Sequence, residues 1–122
     1  MIAVAVLLAG ALGAVSRFVV DGAVKHRRAL SFPWATVGIN VSGSFLLGLI
    51  AGLVTYHAVP VEWQAIVGTG FCGGYTTFST ASFESVRLAQ QRRPVVFAAN
   101  AFGSLVASVI ACALGLLVAW VI

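Results

Sequence analysis

The chain has 122 residues, 61% of them hydrophobic and 8% charged, with a formal net charge of +4 and a mean hydropathy of +1.06. Soluble domains carry about 25% charged residues, so this composition excludes a water-soluble enzyme and argues against a nucleic-acid-binding domain. The chain belongs in a bilayer.

A spanning helix takes about 20 apolar residues, which leaves room for four and for no further domain, so 1–122 reads as one transmembrane unit. The predicted fold is an all-α integral membrane protein with helices at about 2–20, 33–55, 61–86 and 95–121. No positive charge precedes the first run, which reads as helix 1 rather than a secretion signal. Arg17 lies near its end. Pro33, Pro60 and Pro94 stand at or beside the starts of the other three helices, where a missing N–H costs nothing. Trp34, Trp63 and Trp120 fall near helix ends and read as interfacial anchors.

Helix 2 carries an embedded amide, Asn40, which must find partners in so apolar a setting. Ser44, Gly48 and Gly52, further along, are assigned to helix packing. The third run is interrupted at Gly68–Thr80 by glycines and hydroxyls. Backbone that leaves the helix at membrane depth survives only beside protein or a wet cavity, so a break here marks a site. Gly70, Gly73 and Gly74 make the break feasible by tolerating unusual backbone angles. The plainer alternative is a glycine-softened kink with hydroxyls bonded back to their own helix. Helix 4 carries Asn100, Ser104, Ser108 and Cys112 at intervals of four, a polar stripe along one face. Packing also explains a short stripe. It does not readily explain Asn40, Thr76, Thr77, Ser79, Thr80, Asn100, Ser104 and Ser108 together, a set able to replace the water around a small anion. Phe78, among them, can offer the positive edge of its ring.

The seven basic residues share one side. Lys25, Arg27 and Arg28 occupy the first loop, Arg87, Arg92 and Arg93 flank the third, and Arg17 points the same way, while the loop at 56–61 holds no Lys or Arg. The positive-inside rule then puts both termini outside and these loops in the cytoplasm. Glu84 is expected to pair with Arg17 or Arg87. Cys72 and Cys112 lack metal-ligand spacing and read as buried thiols. No nucleophile–base pair, paired carboxylates or phosphate loop can be assigned, which speaks against an enzyme.

These residues resemble the Fluc (CrcB) family of fluoride channels over nearly the whole chain. The family pattern Gly-Phe-Cys-Gly-Gly-x-Thr-Thr-Phe-Ser-Thr is found at Gly70 to Thr80, and Pro-Trp-Gly-Thr-x-x-x-Asn at Pro33 to Asn40 with Ala35 in place of glycine. The resemblance implies a passive, fluoride-selective channel of the bacterial inner membrane that lowers fluoride toxicity. It implies an antiparallel dimer with two narrow pores, each built from both subunits. It further implies a structural sodium ion between the two helix 3 breaks, held by backbone carbonyls matching Gly73 and Thr76, and a vestibule arginine matching Arg17. Asn40, Phe78 and the track Asn100, Ser104 and Ser108 match the residues that line family pores.

Two departures stand out. Ala81 occupies the place of the family's second phenylalanine, and Phe83 comes two positions late. The charge bias commits the chain to one orientation, so the expected partner in the antiparallel dimer is a second copy or, in preference, a homologue of opposite topology. The competing readings are a small multidrug-resistance-like transporter, which would need a glutamate in helix 1 where residues 2–20 have none, and a non-transporting membrane assembly subunit.

Overall fold

In the computed structural model, residues 1–27 and 32–122 are described, and Arg28, one of the basic-loop residues, lies outside the described residues. Helix α1 spans Ile2–Arg27 and α2 spans Trp34–Tyr56. The third run is two pieces. Its first, α3, is wound as a π-helix over Gln64–Cys72 and continues through Gly73–Tyr75, and its second, α4, spans Ser79–Gln90. Helix α5 spans Pro94–Val121, with a π-helical stretch at Ala99–Gly103. Helices α1, α2 and α5 are each long and apolar enough to cross a membrane. Together α3 and α4 cover roughly the length of one further crossing.

Helix α1 runs a further two turns beyond its apolar stretch. The extension is polar and carries an i,i+4 ion pair between Lys25 and Asp21 at 3.0 Å, a surface contact that adds only a few tenths of a kcal/mol. The three tryptophans at the helix ends are exposed, as are apolar side chains along α1 and α5 such as Leu7 and Val109. Such a surface suits lipid and not water.

Packing is backbone on backbone. The most extensive contact joins α2 to α5, where a Cβ on Gly48 would strike the carbonyl of Cys112 and one on Gly115 would strike that of Phe45. Helix α1 meets α3 in the same way, a Cβ on Gly13 striking the carbonyl of Phe71 and one on Gly74 that of Gly10. Small residues let membrane helices approach this closely because hydrocarbon gives apolar side chains no reason to prefer each other over lipid. Gly48 and Gly52 therefore sit at close helix contacts, and Ser44, one turn earlier on α2, also lines a neighbouring groove.

The turn between α4 and α5 is tight: the Arg92 N–H bonds the carbonyl of Ala89 and the Arg93 N–H that of Leu88. Arg92 adopts φ 54° there, the left-handed conformation that closes helix C-termini. This turn folds α5 back beside α4 and sets Asn100 against Ser85.

Candidate anion pathway

The helix break lies at 76–78, later than the glycines expected to make it. Among the described residues no glycine has a positive φ, and Gly73 is helical at φ −62°, ψ −38°. Side-chain chemistry makes the break instead. Thr76 turns extended at φ −77°, ψ 162°, while its hydroxyl and its N–H both donate to the Cys72 carbonyl at 2.8 Å, closing α3. Thr77 then leaves the helix altogether. Its N–H donates to Asn40 Oδ1 at 2.9 Å and its carbonyl accepts from Asn40 Nδ2 at 2.9 Å, a two-point clamp between α2 and the break. One residue later the chain restarts: Thr77 Oγ1 accepts the Thr80 N–H at 3.2 Å, the side-chain cap that begins α4. Glycines 70 and 74 are needed for the close approach to α1 and not for unusual angles.

The clamp orients the Asn40 amide. An amide nitrogen has two hydrogens, and one is held by Thr77. The other remains for the groove that Asn40 lines. Because Oδ1 is occupied by the Thr77 N–H, the amide cannot flip without losing both bonds. Asn40 thus presents a donor, the polarity that an anion requires.

That groove, about 530 Å³ in volume, is bounded by α2, α3, α4 and α5. Of the predicted residues it unites Asn40, Gly73, Thr76, Thr77, Phe78, Ser104 and Ser108. Phe78 is 87% exposed, its ring free on the groove side of the break. Ser79 and Thr80 are not on the groove; Ser79 is exposed near the Thr77 hydroxyl, and Thr80 lines a cavity of about 400 Å³ with Arg17, Asp21 and Thr36. Asn100 is also elsewhere. It is 2% exposed, and its Nδ2 donates to Ser85 Oγ at 2.8 Å while its backbone carbonyl accepts the Ser104 hydroxyl. The four-residue spacing drifts around the helix, and the π-helical turns at Ala99–Gly103 change the twist under Asn100, so the stripe splits into a buried end and a groove-facing end. Asn100→Leu is accordingly expected to destabilise by about 1–3 kcal/mol through the lost bond to Ser85, read as a lower melting temperature in detergent.

Arg17 reaches the break from α1, with Nη1 3.4 Å from the Thr76 carbonyl. Glu84 pairs with neither Arg17 nor Arg87: the Thr36 hydroxyl donates to its Oε1 at 2.9 Å, and Oε2 is buried without a partner among the described residues. Helix α2 reaches Glu84 before either guanidinium does. Ala81 lies on the groove, whereas Phe83 lines a separate cavity of about 290 Å³ beside Lys25, Trp34 and Arg87. A two-residue offset on a helix is about 200°, so Phe83 cannot take the place of a ring at 81.

The hydroxyl residues of the groove that the sequence reading did not place there are Ser44 and Ser82. A signal was present, since each stands four residues after a predicted site residue, Asn40 and Phe78.

Carbonyls at the break bear on cation binding. Asn40 takes the Thr77 N–H that would otherwise bond the Gly73 carbonyl, and Gly73 is exposed with open space around it. The Thr76 carbonyl sits against the Arg17 guanidinium. At the break one chain therefore offers the Gly73 carbonyl and, already facing a guanidinium, that of Thr76.

Fold and site together define a small multi-pass helical membrane protein with a donor-lined groove crossing a helix break. The chain matches the CrcB-like protein, Camphor Resistance (CrcB) model over residues 4–116, and it belongs to that family. It is 59% identical over 93 residues to "Fluoride-specific ion channel FluC 1" of Leifsonia xyli subsp. xyli, an alignment covering 76% of this chain and 68% of that protein. It is 43% identical over 112 residues to "Fluoride-specific ion channel FluC 2" of Mycobacterium tuberculosis, covering 92% and 86%. It is 40% identical over 119 residues to "Fluoride-specific ion channel FluC" of Thermococcus onnurineus, covering 97% and 95%. The family is one of ion channels and not of enzymes.

Proposed function

We propose that this chain is a subunit of a passive fluoride channel through which cytoplasmic fluoride leaves the cell. The observation that carries this reading is the groove on which the fixed amide of Asn40, the exposed ring of Phe78 and the serines of α5 meet at a helix break. Fluoride is small and strongly hydrated, so its path must supply close donors in a space too narrow and poorly matched for chloride. Asn40 offers an N–H, Ser108 a hydroxyl, and Phe78 a ring edge. Thr77 acts through the clamp and the cap. Asn100 supports the path from behind, tying α5 to α4 through its bond to Ser85. Thr80 and Ser79 belong to the approach, and Arg17 draws anions toward it.

The groove is open on one side, and a second subunit, antiparallel to the first, closes it into a pore. The charge bias favours a homologue of opposite topology as that subunit. The carbonyls of Gly73 and Thr76 from both subunits would hold a structural sodium ion, which would supply a positive charge to offset their partial negative charge. The membrane is the cytoplasmic (inner) one, with the termini outside and the basic loops inside.

Fluoride efflux from liposomes loaded with fluoride or chloride tests this directly. The expected result is release of fluoride and retention of chloride, by this chain together with its homologue. Full efflux from this chain alone would refute the requirement for a second gene product, and equal release of both ions would overturn the fluoride-selective reading.

A further inference from the structure

We infer that Ser44 and Ser82 are anion-binding residues, extending the donor path to either side of the Asn40–Phe78 level. This deepens the channel reading and rests on it. Hydroxyls at membrane depth usually donate to a carbonyl of their own helix, and several here do. Ser16 donates to Leu12, Thr55 to Ala51 and Thr76 to Cys72. The Ser104 hydroxyl donates to Asn100 and that of Thr77 to Thr80 Oγ1. A hydroxyl whose hydrogen is engaged this way turns its lone pairs outward, the wrong polarity for an anion. Among the described residues, Ser44, Ser82 and Ser108 line the groove with hydroxyls that make no hydrogen bond to the protein. Their hydrogens are free for a ligand.

Position gives these hydroxyls an order. Ser44 lies one turn beyond Asn40 on α2, and Ser82 one turn beyond Phe78 on α4, about 6 Å along each axis. The Asn40–Thr77 and Thr36–Glu84 bonds show that the two helices run in opposite directions. Ser82 therefore lies on the basic-loop side of the Asn40–Phe78 level, and Ser44 on the far side with Ser108. Ser82 also adjoins Ala81, where no aromatic ring fills the groove. A hydroxyl at this level supplies a donor that a ring edge would otherwise provide.

The test uses the assembled channel in liposomes, with Ser44→Ala, Ser82→Ala, Ser82→Thr, and Ser42→Ala as control. Ser42 bonds the Ile39 carbonyl and the Tyr75 hydroxyl. Fluoride efflux and melting temperature with and without sodium fluoride, against sodium chloride, are read for each. Expected are about tenfold slower efflux for each groove Ser→Ala change, an unchanged melting temperature in chloride, weaker stabilisation by fluoride, and recovery in Ser82→Thr. Wild-type efflux rates in both alanine variants would overturn the inference and leave the channel reading standing. Slow efflux accompanied by a lower melting temperature in chloride would also overturn it, assigning the hydroxyls to structure. A wild-type channel that neither conducts fluoride nor is stabilised by it would overturn both.

Discussion

Asn40→Asp is expected to abolish fluoride efflux, lowering it a hundredfold or more while leaving an assembled protein. The amide gives one bond to Thr77 and takes one, both at 2.9 Å. A carboxylate can still accept the Thr77 N–H, but it cannot donate to the Thr77 carbonyl, and it sets two oxygens against each other at the break. It also places a negative charge on the groove that an anion must pass. Two unit charges 4 Å apart at an effective dielectric of about 20 repel by about 4 kcal/mol, which converts to roughly three orders of magnitude in rate. Asn40→Ala separates the two effects. It removes the donor and leaves the buried Thr77 N–H unpaired, at a cost of about 1–3 kcal/mol, with no added charge, so efflux should fall less and the melting temperature more. Wild-type efflux from Asn40→Asp would show that fluoride does not pass the groove.

Gly48→Leu is expected to prevent assembly altogether. The α2–α5 contact is the largest in the fold, and a Cβ at 48 meets the Cys112 carbonyl, a backbone atom that can retreat only if the whole helix moves. Inserting methylenes into a packed site usually costs about 1–3 kcal/mol, and here backbone rather than a flexible side chain must yield, so the cost lies at or above the upper end. Size-exclusion chromatography should find aggregate or no protein. Gly48→Ala should fold with a clearly lowered melting temperature, since even one carbon is too many. Gly22→Ala, on α1 with open space around the added atom, should be near neutral. Equal melting temperatures for the Gly48 and Gly22 alanine variants would show that α2 and α5 do not touch as closely as described.

The class of protein, the helix count and the existence of a break were legible in the sequence because they follow from local chemistry. An apolar run of twenty residues has few fates other than a bilayer, and the seven basic residues, six of them at two loops and one near the end of helix 1, all fall on one side of it. Asn40, Phe78 and Ser108 were legible because polar or out-of-place groups at membrane depth need a reason to be there. Only tertiary structure decided what each polar group is bonded to. The sequence pointed to glycine as the maker of the break, yet threonine side chains and a helix 2 amide close α3, hold Thr77 and cap α4. Helical spacing placed Asn100 with Ser104 and Ser108, but the π-helical turns between them rotated it onto Ser85. It likewise could not tell that the Ser104 hydroxyl donates inward while those of Ser44 and Ser82 remain free. Residue type fixes how many hydrogen bonds a group can make; which partner takes each one depends on residues tens of positions away, brought within 3 Å only by the packing of the helices.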